Sequence, residues 1–120
     1  MITVYGIPNC DTVKRARTWL QEQPGLTVEF HDFKKAGVPA DQLPLWMAAL
    51  GWDKVINRAG TTWRKLDEAS KAAVVDASSA TQLALAQPSV IKRPLVRWSD
   101  GSFTVGFGVE VFGGKVAGGG

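Results

Sequence analysis

Cysteine and histidine are almost missing from this chain: each occurs once, as Cys10 and His31. A lone cysteine excludes an internal disulfide, and one histidine beside it leaves no cluster at the spacing a zinc site needs. No metal is expected. No apolar run approaches the roughly 20 residues that cross a bilayer. The opening MITVYG lacks the basic leader and long apolar segment of a signal peptide, so none is expected. The expected compartment is a reducing one, most simply the cytoplasm. A dominant charge is missing too. Lysine and arginine number 14 against 11 acids, a net +3. The basic residues fall in short pairs, Lys34-Lys35, Arg64-Lys65 and Lys92-Arg93, and form no stripe. A nucleic-acid surface needs such a stripe, so the pairs read as solvated surface.

What is present suits one globular domain: 120 residues, 45% hydrophobic and 21% charged. That is enough chain to bury a core without staples. ITVY (2–5) alternates and is β-branched and aromatic, which predicts a strand. Gly6, Pro8 and Asn9 make a turn. From Asp11 to about Glu22, Val13, Ala16 and Leu20 share one helical face with Trp19 beside it. Pro24-Gly25 stops that helix, and LTVEFHDF (26–33) predicts a second strand, completing a βαβ unit.

The middle of the chain is helical in pattern. Leu43, Trp46, Met47 and Leu50 make one face, with Pro44 in the first turn and Gly51 at the end. A loop is expected over 55–67, then one helix carrying Leu66, Ala69, Ala73 and Val74, and another carrying Ala80, Leu83 and Ala84 up to Pro88. LVRW (95–98) and SFTV (102–105) are strand-like around a Ser99-Asp100-Gly101 hairpin turn. Five glycines in the last eight residues predict at most a short final helix with a frayed end. This order is an α/β, thioredoxin-like layout with an all-helical insertion. It predicts one domain over 1–112, with the insertion at about 38–88 and a flexible glycine-rich tail at 113–120.

The pattern puts Cys10 at the start of the first helix, in a Pro-Asn-Cys-Asp turn where exposure is expected. A thiol is a nucleophile only as thiolate, and first-turn N–H groups, the helix dipole and nearby cations all favour that form. Lys14 and Arg15 supply cations, and Asp11 opposes them. A two-cysteine redox site would carry its second thiol at position 13, which is valine.

YGIPNCDTVKRAR (5–17), GTTWRKLD (60–67) and IKRPL (91–95), in this order and spacing, resemble the arsenate reductase-like (ArsC-like) family. They are most similar to its small bacterial YffB-type branch, which is related to the Spx-type regulators. The resemblance spans about residue 2 to Phe107 and implies a thioredoxin-like fold with a helical insertion. It also implies a nucleophilic Cys10, a catalytic Arg93 whose planar fork suits an anion or a thiolate, and a cis proline at Pro94. A backbone edge beside Pro94 would pair with an extended peptide such as glutathione. Pro8, Asn9, Thr12, Lys14, Arg58, Arg64 and Pro94 are the expected ligand-binding residues. His31 is expected to be structural, and Trp63 to be core between insertion and sheet.

Two departures from the family pattern bear on substrate. Glutaredoxin-linked arsenate reductases set three arginines around the oxyanion, and Asn57 and Gly106 stand where two of them would fall. The implied activity is therefore a glutathione-dependent thiol–disulfide oxidoreductase. Glutathione serves as co-substrate with no bound cofactor, and glutaredoxin is a further candidate partner. The alternatives are an arsenate reductase using glutathione and glutaredoxin, or an Spx-like regulator that binds RNA polymerase. The other expectations are a monomer with no membrane and no nucleic-acid partner.

Overall fold

The computed structural model describes residues 1–118, and they fall into two compact units. The first joins Met1–Ala36 to the segment from Arg93 onward. Its elements are β1 (Ile2–Gly6), α1 (Asp11–Gln21), β2 (Val28–Asp32) and α2 (Phe33–Ala36), then β3 (Leu95–Arg97) and β4 (Phe103–Val105). Among the described residues the sheet has four strands, in the order β2-β1-β3-β4. β1 and β2 are parallel, as a βαβ crossover requires, with Tyr5 opposite His31. β3 pairs antiparallel with β1 and with β4.

Ile2 and Val4 of β1, Val96 of β3 and Trp98 just beyond it meet Ala16 and Leu20 of α1. Phe112 completes this core, stacked edge-on against Trp98 with ring centroids 4.9 Å apart. It belongs to α8 (Val109–Ala117), which runs straight through the stretch where the glycines predict a loose tail. Burial of Phe112 and packing of Val116 outweigh the cost of Gly113 and Gly114 in a helix. Lys115 adds a tie, its Nζ donating to Ser102 Oγ at 2.8 Å. The tail expected from residue 113 is thus helical as far as Ala117, and residues 119–120 lie outside the described chain.

The expected second strand is also shorter at its far end. The Asp32 carboxylate accepts the Lys34 N–H at 2.8 Å, which turns the chain so that Phe33 opens a helix.

The second unit, Gly37–Lys92, is helical. It contains α3 (Leu43–Leu50), α4 (Trp52–Val55), α5 (Thr61–Arg64), α6 (Glu68–Ala72) and α7 (Ala77–Ala86), with a short 3-10 turn at Pro88–Val90. Leu43, Trp46, Met47, Val55, Ile56, Ala80, Ala84, Val90 and Ile91 are buried. The expected loop over 55–67 is more ordered than its composition predicts. Ile56 bridges Ile91, Asn57 N–H donates to the Val90 carbonyl at 2.7 Å, and α5 occupies the GTTWR stretch. The helix expected from Leu66 to Val74 is trimmed at both ends. Asp67 caps it through the Ser70 N–H at 2.6 Å, and Asp76 starts the next helix in a capping box with Ser79.

Candidate functional site

The site is set by how β1 ends. Gly6 closes the strand, and a Cβ there would lie 2.9 Å from Val13 Cγ2, so only glycine lets α1 approach this closely. The chain turns through exposed Pro8 and Asn9 and enters α1 at Cys10, its N-cap. Cys10 takes an extended backbone (φ −100°, ψ 125°), and its carbonyl accepts the Lys14 N–H at 2.9 Å. Its thiol caps no backbone N–H, and the residue is half-buried. The first-turn N–H groups of α1 therefore have no side-chain cap and point toward the region of the thiol. Thr12 is half-buried in that turn, and Lys14 is exposed one turn above Cys10 on the same face.

The sheet register brings Arg93 and Pro94 to the same end. Tyr5 pairs with Leu95, so Gly6, which leads into the Cys10 loop, adjoins the start of β3. The Arg93–Pro94 peptide is cis, as the resemblance implies. Arg93 is half-buried, with its Nε shielded from solvent, and Pro94 is buried. Pro94 has no N–H to give, and its carbonyl accepts the Gly106 N–H at 2.9 Å. Gly106 sits at φ +81°, a conformation that disfavours a side chain.

Pro8, Asn9, Cys10, Thr12, Lys14, Arg93 and Pro94 all belong to the sheet unit. Arg58 and Arg64 belong to the helical unit, where both are exposed. The Arg58 guanidinium stands over the Trp52 ring, 5.8 Å from its centroid. Trp63 is half-buried. His31 stands beside Tyr5, ring centroids 5.2 Å apart, and edge-on to Phe33 at 5.9 Å, an aromatic setting that fits a structural histidine. Sequence reasoning gave Trp19 and Phe107 no part in a site. Trp19, on α1, and Phe107 are both half-buried against the same core, and the only prior signal was that Trp19 flanks the helix's apolar face.

A sheet of order 2-1-3-4 with one antiparallel half, a cysteine heading α1 and a proline opening β3 defines a thioredoxin-like protein of the single-cysteine kind. Residues 5–113 match the ArsC family. The YFFB (PA3664) protein is 47% identical, with a TM-score of 0.88 over 96% of this chain and 98% of that one. An arsenate reductase (ArsC) related protein from Brucella melitensis is 45% identical, with a TM-score of 0.72 over 96% and 93%. An uncharacterized protein from Haemophilus influenzae is 40% identical across 89% of this chain and 91% of its own. The chain belongs to the ArsC family, the arsenate reductase-like proteins.

Proposed function

We propose that this protein is a glutathione-dependent thiol–disulfide oxidoreductase with Cys10 as its nucleophile. The observation that carries the proposal is the position of Cys10. It is the only cysteine, and it heads α1 with uncapped first-turn N–H groups at the sheet end where Arg93 enters β3. The thiolate attacks the glutathione sulfur of a mixed disulfide. A Cys10–glutathione disulfide forms, and the substrate leaves as a thiolate that takes a proton from water. A second glutathione thiolate attacks the glutathione sulfur of that intermediate, giving oxidised glutathione and regenerating the Cys10 thiolate. Each turnover consumes one free glutathione, whose sulfur ends in oxidised glutathione bonded to the one the substrate brought, so no second cysteine is needed. On this reading Arg93 and Lys14 are the cations that attract glutathione's carboxylates.

Arsenate fits this chain less well. A compact dianion needs several cations around one point. Asn57 is uncharged and accepts the Ala59 N–H in its own loop, and Gly106 has a backbone that disfavours any arginine in its place. The test is turnover of a glutathionylated small thiol coupled to glutathione reductase, run beside arsenate with glutathione and glutaredoxin supplied. Disulfide turnover lost in Cys10→Ser, with no arsenate turnover, is expected. Cys10-dependent arsenate reduction would reverse the substrate assignment.

A further inference from the structure

A groove of about 350 Å³ runs along the outer side of α1, beside the start of α8. Its floor is aromatic. Trp19 and Phe107 both lean on buried Phe112, with centroids 5.8 and 4.9 Å away, and both stay half-exposed. Val109 extends the apolar wall and is 58% exposed. The rim is charged and uneven. Lys14 and Arg15 stand at the end nearest Cys10, and Glu22 closes the far end. The Arg15 guanidinium lies 5.9 Å from the Phe107 ring centroid, so the cation hangs over the apolar floor. Among the described residues Lys14, Arg15 and Glu22 make no ion pair, and exposed Asp11, one turn before Arg15, makes none with it. All three are exposed, so their charges are accessible to an external ligand.

Lys14 lies one helical turn from Cys10, so the groove begins where the thiol's face of α1 continues. Eight residues separate Lys14 from Glu22, about 12 Å along the helix. An extended segment of roughly four residues covers that length. The charges ask for acids at the thiol end and an apolar side chain on the aromatic floor. We infer that this groove docks a short extended segment of a partner protein, acidic at the end nearest Cys10 and apolar beyond it, so that glutathionylated proteins with such a segment are the preferred substrates. The substrate half of this inference rests on the reductase reading above; the docking half does not.

The probes are two blocked peptides, acetyl-Glu-Glu-Phe-Gly-amide and acetyl-Lys-Lys-Phe-Gly-amide, titrated by NMR into the full-length Cys10→Ser protein, where no disulfide chemistry can intervene. The acidic peptide is expected to shift signals of residues 14–22 and 107–109, to bind about ten-fold tighter than the basic one, and to weaken as salt rises. Arg15→Glu should remove that preference. Shifts elsewhere, or equal binding of the two peptides, would overturn the docking inference. A second arm compares turnover of glutathionylated cysteine-extended versions of both peptides by the wild-type protein. The acidic one should be favoured, and Arg15→Glu should erase the ratio between the two peptides. Groove binding with no disulfide turnover would sink the reductase reading and leave the docking site standing. Turnover without charge preference would do the reverse.

Discussion

Gly106 donates its N–H to the carbonyl of Pro94, the residue after Arg93, and these two positions, 106 and 93, narrow the chemistry. With φ at +81°, residue 106 accepts glycine readily and a side chain only under strain. Gly106→Arg should therefore cost about 1–2 kcal/mol of stability and should not install an oxyanion ligand, as urea unfolding and arsenate turnover would report. Arg93 is the cation carried over from the family pattern, half-buried and shielded at Nε. Arg93→Ala should lose about 1.5–3 kcal/mol of transition-state stabilisation, the worth of a hydrogen bond to a charged group, read in kcat/KM with glutathione. Cys10 alkylation should slow in parallel. Arg93→Lys should recover only part, because it keeps the charge and loses the fork. Unchanged alkylation and turnover in Arg93→Ala would remove this residue from the site. The place of Cys10 at a helix start was legible in the sequence, from a Pro-Asn turn ahead of a helical pattern, whereas the Arg93-Pro94 step stood out only through the family resemblance, since an Arg-Pro pair before a strand reads by itself as a turn. The half-exposed pair Trp19 and Phe107 was not legible. Nothing in the spacing says that a residue beside an apolar face stays partly open once Phe112 has filled the core.

At the scale of elements, two contacts decide where helices start. The first is the approach of α1 to β1 over Gly6. An added methyl meets Val13 Cγ2 at 2.9 Å, so Gly6→Ala should lower stability by about 1–3 kcal/mol through overpacking. The loss should appear as a lower urea midpoint with the slope unchanged. Because Cys10 sits on the first turn of the displaced helix, its alkylation rate should change as well. The second is the capping of α6 and α7 by Asp67 and Asp76. The periodic apolar residues alone predict longer helices than form, because periodicity marks a buried face and says little about where N–H groups find partners. The strand ends follow the same logic. Asp32 turns the chain at Lys34 and cuts β2 short of the aromatic at Phe33.

For the whole molecule, acid is the informative perturbation. Hydrogen bonds from Ser70, Ser79 and Ser102, backbone N–H and side chain, hold the carboxyls of Asp67, Asp76 and Asp100 below the usual carboxylate range, with Lys115 helping at Asp100. A carboxyl whose folded value is depressed stabilises the fold fully above its ordinary titration range, and that stability disappears as pH falls through the folded value. Thermal stability should therefore hold from neutral pH down to about pH 5 and fall below it. Asp76→Asn should keep most of the cap at neutral pH and flatten part of the acid slope, which calorimetry across pH would show. A slope unchanged by this substitution would mean that other carboxyls carry the acid sensitivity. The sequence by itself determined the βαβ opening, the helical middle, the hairpin and the cysteine at a helix start, because these depend on local periodicity and turn chemistry within a few residues. Only the tertiary structure decided that Gly113 and Gly114 stay helical, since that needs Phe112 and Val116 on a core assembled from residues far away in the chain. It alone decided the pairing of Ile56 with Ile91 inside an expected loop. It alone set the start of β3 beside the end of β1, and so brought Arg93 and Cys10, 83 positions apart, to one end of one sheet. Antiparallel register is a long-range property, fixed by which strands share a core and not by what either strand contains.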